Sequence, residues 1–205
     1  MLLREDTENS LSSNPNIDVA EDVIALAIAA HRDAAGDDTQ LHAALDALPG
    51  ALYITDGDGQ LTYYNRAAAS FAGREPILRQ DRWCVTWKLF TADGEPLPHD
   101  QCPMAVALQS RRGVRGAEAI AERPDGSRVH FTPYPTPLFD AHGVCVGAVN
   151  LLIDITERRH ADNLRRQAAQ CLRLAKTVGD RRTEETLRAM AEEYQAQVSL
   201  LERPN

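Results

Sequence analysis

The chain of 205 residues carries 22 Lys plus Arg against 30 Asp plus Glu, a net charge of −8. That balance argues against a general nucleic-acid binder, which needs a basic face to neutralise phosphates. The longest purely apolar run, Val23 to Ala30, falls far short of the roughly 18 residues that cross a bilayer. Met1 to Asp6 turns acidic at once, unlike a signal peptide, so a soluble cytoplasmic protein with no membrane or nucleic-acid partner is expected.

The charge has an address. Positions 1–48 hold 10 acidic and 2 basic residues, which accounts for all of the −8, whereas 156–205 hold 8 acidic and 10 basic, or +2. All aromatic residues except Tyr194, and ten of the 12 Gly, lie between 49 and 155. One turn-rich globular domain between two flanks is expected. Cys84, Cys102, Cys145 and Cys171 form no Cys-x-x-Cys pair and read as reduced thiols.

In chain order, residues 1–16 are polar and read as a disordered tail. Residues 17–40 read as an amphipathic helix and linker, with Asp18 as cap and Val23, Ala27 and Ile28 in register. A short helix through Leu41, Leu45 and Leu48 stops at Pro49-Gly50. Ala51 to Thr55 and Leu61 to Asn65 then form a hairpin about Asp56-Gly57-Asp58-Gly59. Arg66 to Phe71 favours a short helix closed by Gly73, and residues 74–101 read as irregular. Cys102 to Arg112 is helical, with Pro103 in the first turn and His99-Asp100 placed to cap it.

Three extended segments follow, Val114 to Glu122, Arg128 to Leu138 and Val144 to Ile155. Pro133, Pro135 and Pro137 mark the second as an edge strand or one that soon stops pairing. The third, apolar on both faces, reads as a central strand. After Thr156 the helical period returns, with Leu164, Ala168, Cys171, Ala175 and Val178 on one face. After Gly179-Asp180, Leu187, Ala191, Tyr194, Val198 and Leu201 mark a second helix, which makes a helical hairpin or two coiled-coil segments.

Asp154-Ile155-Thr156-Glu157-Arg158 resembles the end of a PAS domain, where the last strand closes and the chain leaves as a signalling helix. The turn Asp56 to Gly59 followed by Leu61 to Asn65 and Arg66-Ala67-Ala68, and the turn Arg123-Pro124-Asp125-Gly126-Ser127, are similar to PAS features in the same order. The resemblance implies an α+β fold with a five-stranded antiparallel sheet and short helices on one face, over residues 41–157. Residues 158–205 would be signalling helices outside it. It also implies a small-ligand pocket between sheet and helices, with Trp83, Trp87 and Phe90 as apolar wall and Asn150 as the polar residue in an apolar strand. Trp83 and Trp87 equally suit core filling, and a buried amide such as Asn150 bonds a ligand or neighbouring backbone.

At the closing motif, Thr156 is placed as helix cap with Glu157 behind it, and Asp154 could bond the junction or a basic partner. The resemblance implies that this pair couples the pocket to the exiting helix. No catalytic constellation stands out, so an enzyme is not expected. His160 lacks a kinase phosphoacceptor's surroundings, and no ATP-site pattern follows it. His99-x-x-Cys102-Pro103, with Cys84, His130, His142 and Cys145 elsewhere, is a weak pattern for zinc or haem. Neither Cys84 nor Cys102 lies in the Asn-Cys-Arg-Phe helix of a light-oxygen-voltage photoreceptor. Haem and flavin stay open as cofactors, and none is assigned.

The expected protein is thus a sensor without its own catalytic output, binding a small ligand or a protein partner. Its apolar stripes before and after the domain suggest a homodimer, and its downstream partner would be a kinase or regulator in two-component or transcriptional control. The competing readings are a haem- or metal-linked sensor through His99 and Cys102, and a ligand-free dimerisation adaptor.

Overall fold

The protein is described by a computed structural model over residues 42–43, 45–48 and 50–203. The expected tail over 1–16, and the helix over 17–40 with Val23, Ala27 and Ile28, lie outside the described residues. In chain order the elements are β1 (Ala51–Asp56), β2 (Leu61–Tyr64), α1 (Arg66–Ala72), β3 (Lys88–Thr91) and α2 (Pro103–Ser110). They continue with β4 (Ala119–Glu122), β5 (Arg128–Phe139), β6 (Cys145–Asp154), α3 (Thr156–Ala175) and α4 (Arg181–Leu201). The sheet order is β2-β1-β6-β5-β4-β3, antiparallel at every pairing.

Acidic turns set the hairpins. Asp56 Oδ1 accepts from the backbone N of Asp58 at 3.0 Å and of Gln60 at 2.8 Å, so the carboxylate satisfies N–H groups the tight turn leaves free. Asp140 repeats the device between β5 and β6, accepting from His142 N at 2.8 Å and Val144 N at 2.9 Å. Gly59 completes the first turn at φ 80, and a Cβ there would fall 2.3 Å from the Trp83 ring.

The sheet has six strands where five were expected. The additional one is β3, inside the segment read as irregular. Its four residues pair with β4 from Lys88↔Glu122 to Thr91↔Ala119, and Lys88 Nζ reaches Glu122 Oε1 at 3.1 Å. This partnership spans a long stretch of chain, and four residues are too few to show a period. β5 changes partner at Phe131, with Arg128–Phe131 on β4 and Phe131–Phe139 on β6. The three prolines fall where β4 has ended. Pro135 O accepts from Val114 N at 3.3 Å, so the odd-numbered positions face away from β6 and no ladder donor is lost there.

The inner sheet face packs Ala51, Tyr53, Val129, Phe131, Ala148 and Leu152 against Phe71 of α1 and Met104, Ala105 and Leu108 of α2. The outer face gathers Leu52, Ile54, Tyr134, Leu138, Val149 and Leu151 with Leu45. β1 and β6 approach so closely that a Cβ on Gly147 would sit 2.1 Å from Thr55 O, which only glycine permits.

α1 is capped by Asn65, whose Oδ1 accepts from Ala68 N at 2.9 Å. α3 and α4 fold back as an antiparallel hairpin, Ala161 and Leu164 meeting Val198, and Ala168 and Cys171 meeting Ala191. Asp180 caps α4 by accepting from Thr183 N at 2.9 Å. The stripe Leu164–Ala168–Cys171–Ala175 that suggested a second copy is therefore buried within the chain, because α4 supplies the partner face. Among the described residues, no helix is long and apolar enough to cross a membrane.

Candidate functional site

On the inner face β1 and β6 place Tyr53 opposite Asn150. Asn150 Nδ2 donates to Tyr53 Oη at 2.9 Å, its Oδ1 accepts from Tyr134 N at 3.0 Å, and Tyr53 Oη donates to Trp83 O at 3.0 Å. Asn150 is therefore tied to backbone and to Tyr53. Burial, and then the neighbouring thiols of Cys84 and Cys102, hold the Tyr53 hydroxyl well above its ordinary pKa. Thr86 Oγ1 donates to Cys84 Sγ at 3.1 Å, and burial pushes the Cys102 thiol up to about 12. These groups form a neutral polar centre inside an apolar core. Among the described residues, Thr55 Oγ1, on the same strand, is the buried side-chain polar atom left without a partner.

The four pocket residues expected from the sequence do not converge. Trp83 is half-buried over Gly59 and held in the left-handed region at φ 68, with Trp83 N donating to Gly59 O at 2.7 Å. Trp87 is 46% exposed, with Lys88 Nζ 4.2 Å from its ring centroid, and Phe90 lies under Arg128 at 4.3 Å. Both line a shallow outer groove at the sheet edge with Pro96, Leu97 and Pro98; Trp87 precedes β3, and Phe90 alternates with Leu89, which takes the inner face.

His99 also lies on that outer groove, where burial and then Arg74 push its imidazole below the ordinary value. Cys102 is turned into the core, its Sγ donating to Trp83 O at 3.8 Å. Cys102 occupies the position before α2 without a side-chain cap bond, and His99–Gln101 is a separate 3-10 turn. The capping expected of His99-Asp100 is thus absent, since that turn consumes their backbone. Among the described residues, no group of three or more His, Cys, Asp or Glu could hold a metal ion.

At the strand-to-helix junction Asp154 bonds the turn as expected, whereas Thr156 is not the cap. Asp154 Oδ1 accepts from Thr156 N at 2.8 Å, so Asp154 closes the turn. Thr156 is the first helical residue, and its Oγ1 accepts from His130 N at 3.0 Å on β5. Ile155 N donates to His130 O at 2.8 Å. The cap position falls on Ile155 because this ladder contact extends the sheet by one residue. Arg159 of α3 pairs with Glu118 at 2.9 Å just ahead of β4, a second tie between helix and sheet. A cleft of about 750 Å³ borders the junction, lined by Arg66, Phe71, Arg123, Leu152 and Asp154.

One antiparallel sheet, a buried polar pair across its inner face and a helix leaving directly from its last strand define an α+β module built around that sheet. The sequence profile of the PAS fold matches residues 45–160, over half of the chain, and the protein belongs to that family of signal-sensing domains. Curated proteins offer no sequence match. Solved structures of similar fold include an RNA-binding light-oxygen-voltage receptor, 17% identical with a TM-score of 0.46, covering 77% of this chain and 36% of that one. The chain thus spans about a third of that receptor's length. The light-oxygen-voltage protein of Rhodobacter sphaeroides is 17% identical with a TM-score of 0.45, covering 83% of this chain and 100% of that one. The light-oxygen-voltage domain of a blue-light activated histidine kinase from Erythrobacter litoralis is 23% identical with a TM-score of 0.42, covering 53% of this chain and 98% of that one.

Proposed function

We propose that this PAS protein senses a small ligand or a protein partner and relays its state through the α3–α4 hairpin to a downstream kinase or transcriptional regulator. The output would be protein contact in the cytoplasm, without a catalytic step of its own. The observation that carries the reading is the junction, where the Asp154 and Thr156 side chains tie the first turn of α3 to β6 and β5. A shift between these central strands therefore moves the helix start. The unpaired Thr55 hydroxyl supports the ligand half, since a buried polar atom without a partner is what an inner-face ligand would satisfy.

The relay is tested by hydrogen exchange on the double variant Asp154→Ala, Thr156→Val. Loss of two junction bonds should speed exchange of the first-turn amides of α3 by about tenfold, the kinetic equivalent of roughly 1.4 kcal/mol of local stability. The β5–β6 core should exchange as in the parent. Unchanged exchange in α3 would remove the coupling role.

The hairpin is also the proposed route to a homodimer, now through its exposed Leu174, Met190 and Leu200 in place of the α3 stripe. Light scattering over a wide concentration range should show a dimer that Leu200→Lys shifts toward monomer. A parent protein monomeric throughout ends that reading.

A further inference from the structure

A polar cleft of about 490 Å³ opens where α3 leaves the sheet, separate from the inner face. α3 contributes Arg159, His160, Asn163 and Arg166, β5 contributes His130, and the turn after β3 contributes Asp93. Positions 159, 163 and 166 follow i, i+4, i+7 and so share one face of the helix. Thr156, bonded through its hydroxyl to His130 N, lies at the base of the same cleft.

The donor chemistry is one-sided. Two guanidinium groups offer donors only, and an amide and two imidazoles add more. The acidic groups facing them are Asp93, which lines the cleft, and Glu118, which pairs Arg159 at 2.9 Å from outside the lining. Among the described residues, Arg166 has no ion-pair partner and the side chains of His130 and His160 have no hydrogen-bond partner. Arg111, Arg112 and Arg115 form the arginine cluster most evident in the sequence, and they lie elsewhere. Arg115 is spent on Pro135 O at 3.3 Å and Thr136 Oγ1 at 3.2 Å.

We propose that this cleft binds a small phosphate-type dianion, inorganic phosphate or a phosphomonoester group, through Arg166, Arg159, Asn163 and the two imidazoles. Donors arriving from β5 and from two turns of α3 suit a tetrahedral oxyanion better than a planar carboxylate, which one guanidinium fork can satisfy. A dianion there bridges His130 and α3 across the Thr156 contact, so it stiffens the junction. That consequence rests on the relay proposed above, whereas the binding stands without it.

The test titrates the full chain with inorganic phosphate at constant ionic strength, following the imidazole resonances of His130 and His160. Saturable shifts with a Kd of about 1 mM or tighter are expected, the range a few charge-assisted bonds support. Arg166→Gln should weaken binding at least about tenfold, while Arg173→Gln, exposed further along α3, should leave it unchanged. Inorganic phosphate should bind more tightly than succinate, and a methyl phosphate arm reads whether the monoester is accepted. An unsaturable response, equal losses in the two arginine variants, or succinate binding as tight as phosphate would each overturn the assignment. Saturable binding with no change in α3 hydrogen exchange supports the site and counts against the relay alone.

Discussion

Asn65→Ala should lower stability by about 4 kcal/mol, from the loss of an N-cap and of buried partners that cannot find water. The side chain is fully buried and uses all of its hydrogen-bonding capacity. Its Oδ1 accepts from Leu52 N at 3.0 Å and from Ala68 N at 2.9 Å, and its Nδ2 donates to Leu45 O at 3.1 Å and Gly50 O at 2.8 Å. One amide thus joins the segment before β1, β1 itself and the start of α1. An N-cap alone contributes about 1 kcal/mol, and each buried group left unpaired adds roughly 1–3 kcal/mol. For a chain of this size the expected loss corresponds to a drop in Tm on the order of 10 °C. Urea titration followed by tryptophan fluorescence reads it directly, and a loss below about 1 kcal/mol would show that the hub is not structural. Asn65→Asp sharpens the point, because it keeps both accepted bonds but sets a carboxylate against two carbonyl oxygens. Burial raises that carboxyl's folded pKa, so the folded state binds the extra proton. The variant's stability should therefore recover as pH falls toward the ordinary aspartate range, whereas that of Asn65→Ala should not.

This hub was visible in outline and was still missed. Asn65 ends a run of strand-like residues, Leu61-Thr62-Tyr63-Tyr64, whose pattern carries the strand through it. The available signal was an Asn directly before Arg66-Ala67-Ala68-Ala69, the composition of a capped helix start. The acidic turns were legible because their physics is local: an Asp carboxylate accepts from N–H groups two and four residues on, and glycine lies within the same four residues. β3 was not legible, since it exists only through β4, nearly 30 residues away. The same distance explains the tryptophans. Aromatic content marked 83–90 as structural, but only the strand pairing decides which of those rings face inward. At the junction Asp154 bonds the turn as its place in the sequence suggests, and only the cap role of Thr156 differs. The Asp154 carboxylate closes the turn and the Thr156 hydroxyl reaches β5, but sequence spacing cannot show that Ile155 continues the ladder to His130 and so moves the helix start by one residue. The apolar stripe of α3 was legible as a stripe, and its partner was not: α4 of the same chain presents a matching face, which periodicity alone cannot distinguish from a second copy.

The Tyr53–Asn150 pair gives the second large effect, and a double-mutant cycle separates its structural role from a ligand contact. Asn150→Leu removes the bonds of this amide to Tyr134 N and to the Tyr53 hydroxyl in the core, and should cost about 3 kcal/mol. Tyr53→Phe deprives Asn150 Nδ2 and Trp83 O of their partner, and should cost about 2 kcal/mol. The double variant removes the side-chain pair together, so it should lose at least about 1 kcal/mol less than the two single losses added. The bonds to Tyr134 N and Trp83 O are lost in it as in the single variants, which keeps the double variant below the parent. Additive losses would mean that the 2.9 Å contact between the two side chains contributes nothing of its own. The cycle also bears on sensing. If Asn150 serves the fold through Tyr53 and Tyr134, its substitution changes stability in proportion to the bonds lost, with or without co-purified molecules. The Thr55 hydroxyl is the contrasting probe, because it is buried with no bond to lose. Thr55→Val conserves shape and removes only that unpaired hydroxyl, so it should leave stability equal to the parent's or above it. A ligand that used Thr55 would reverse that order, the variant becoming less stable than the parent only when the ligand is present.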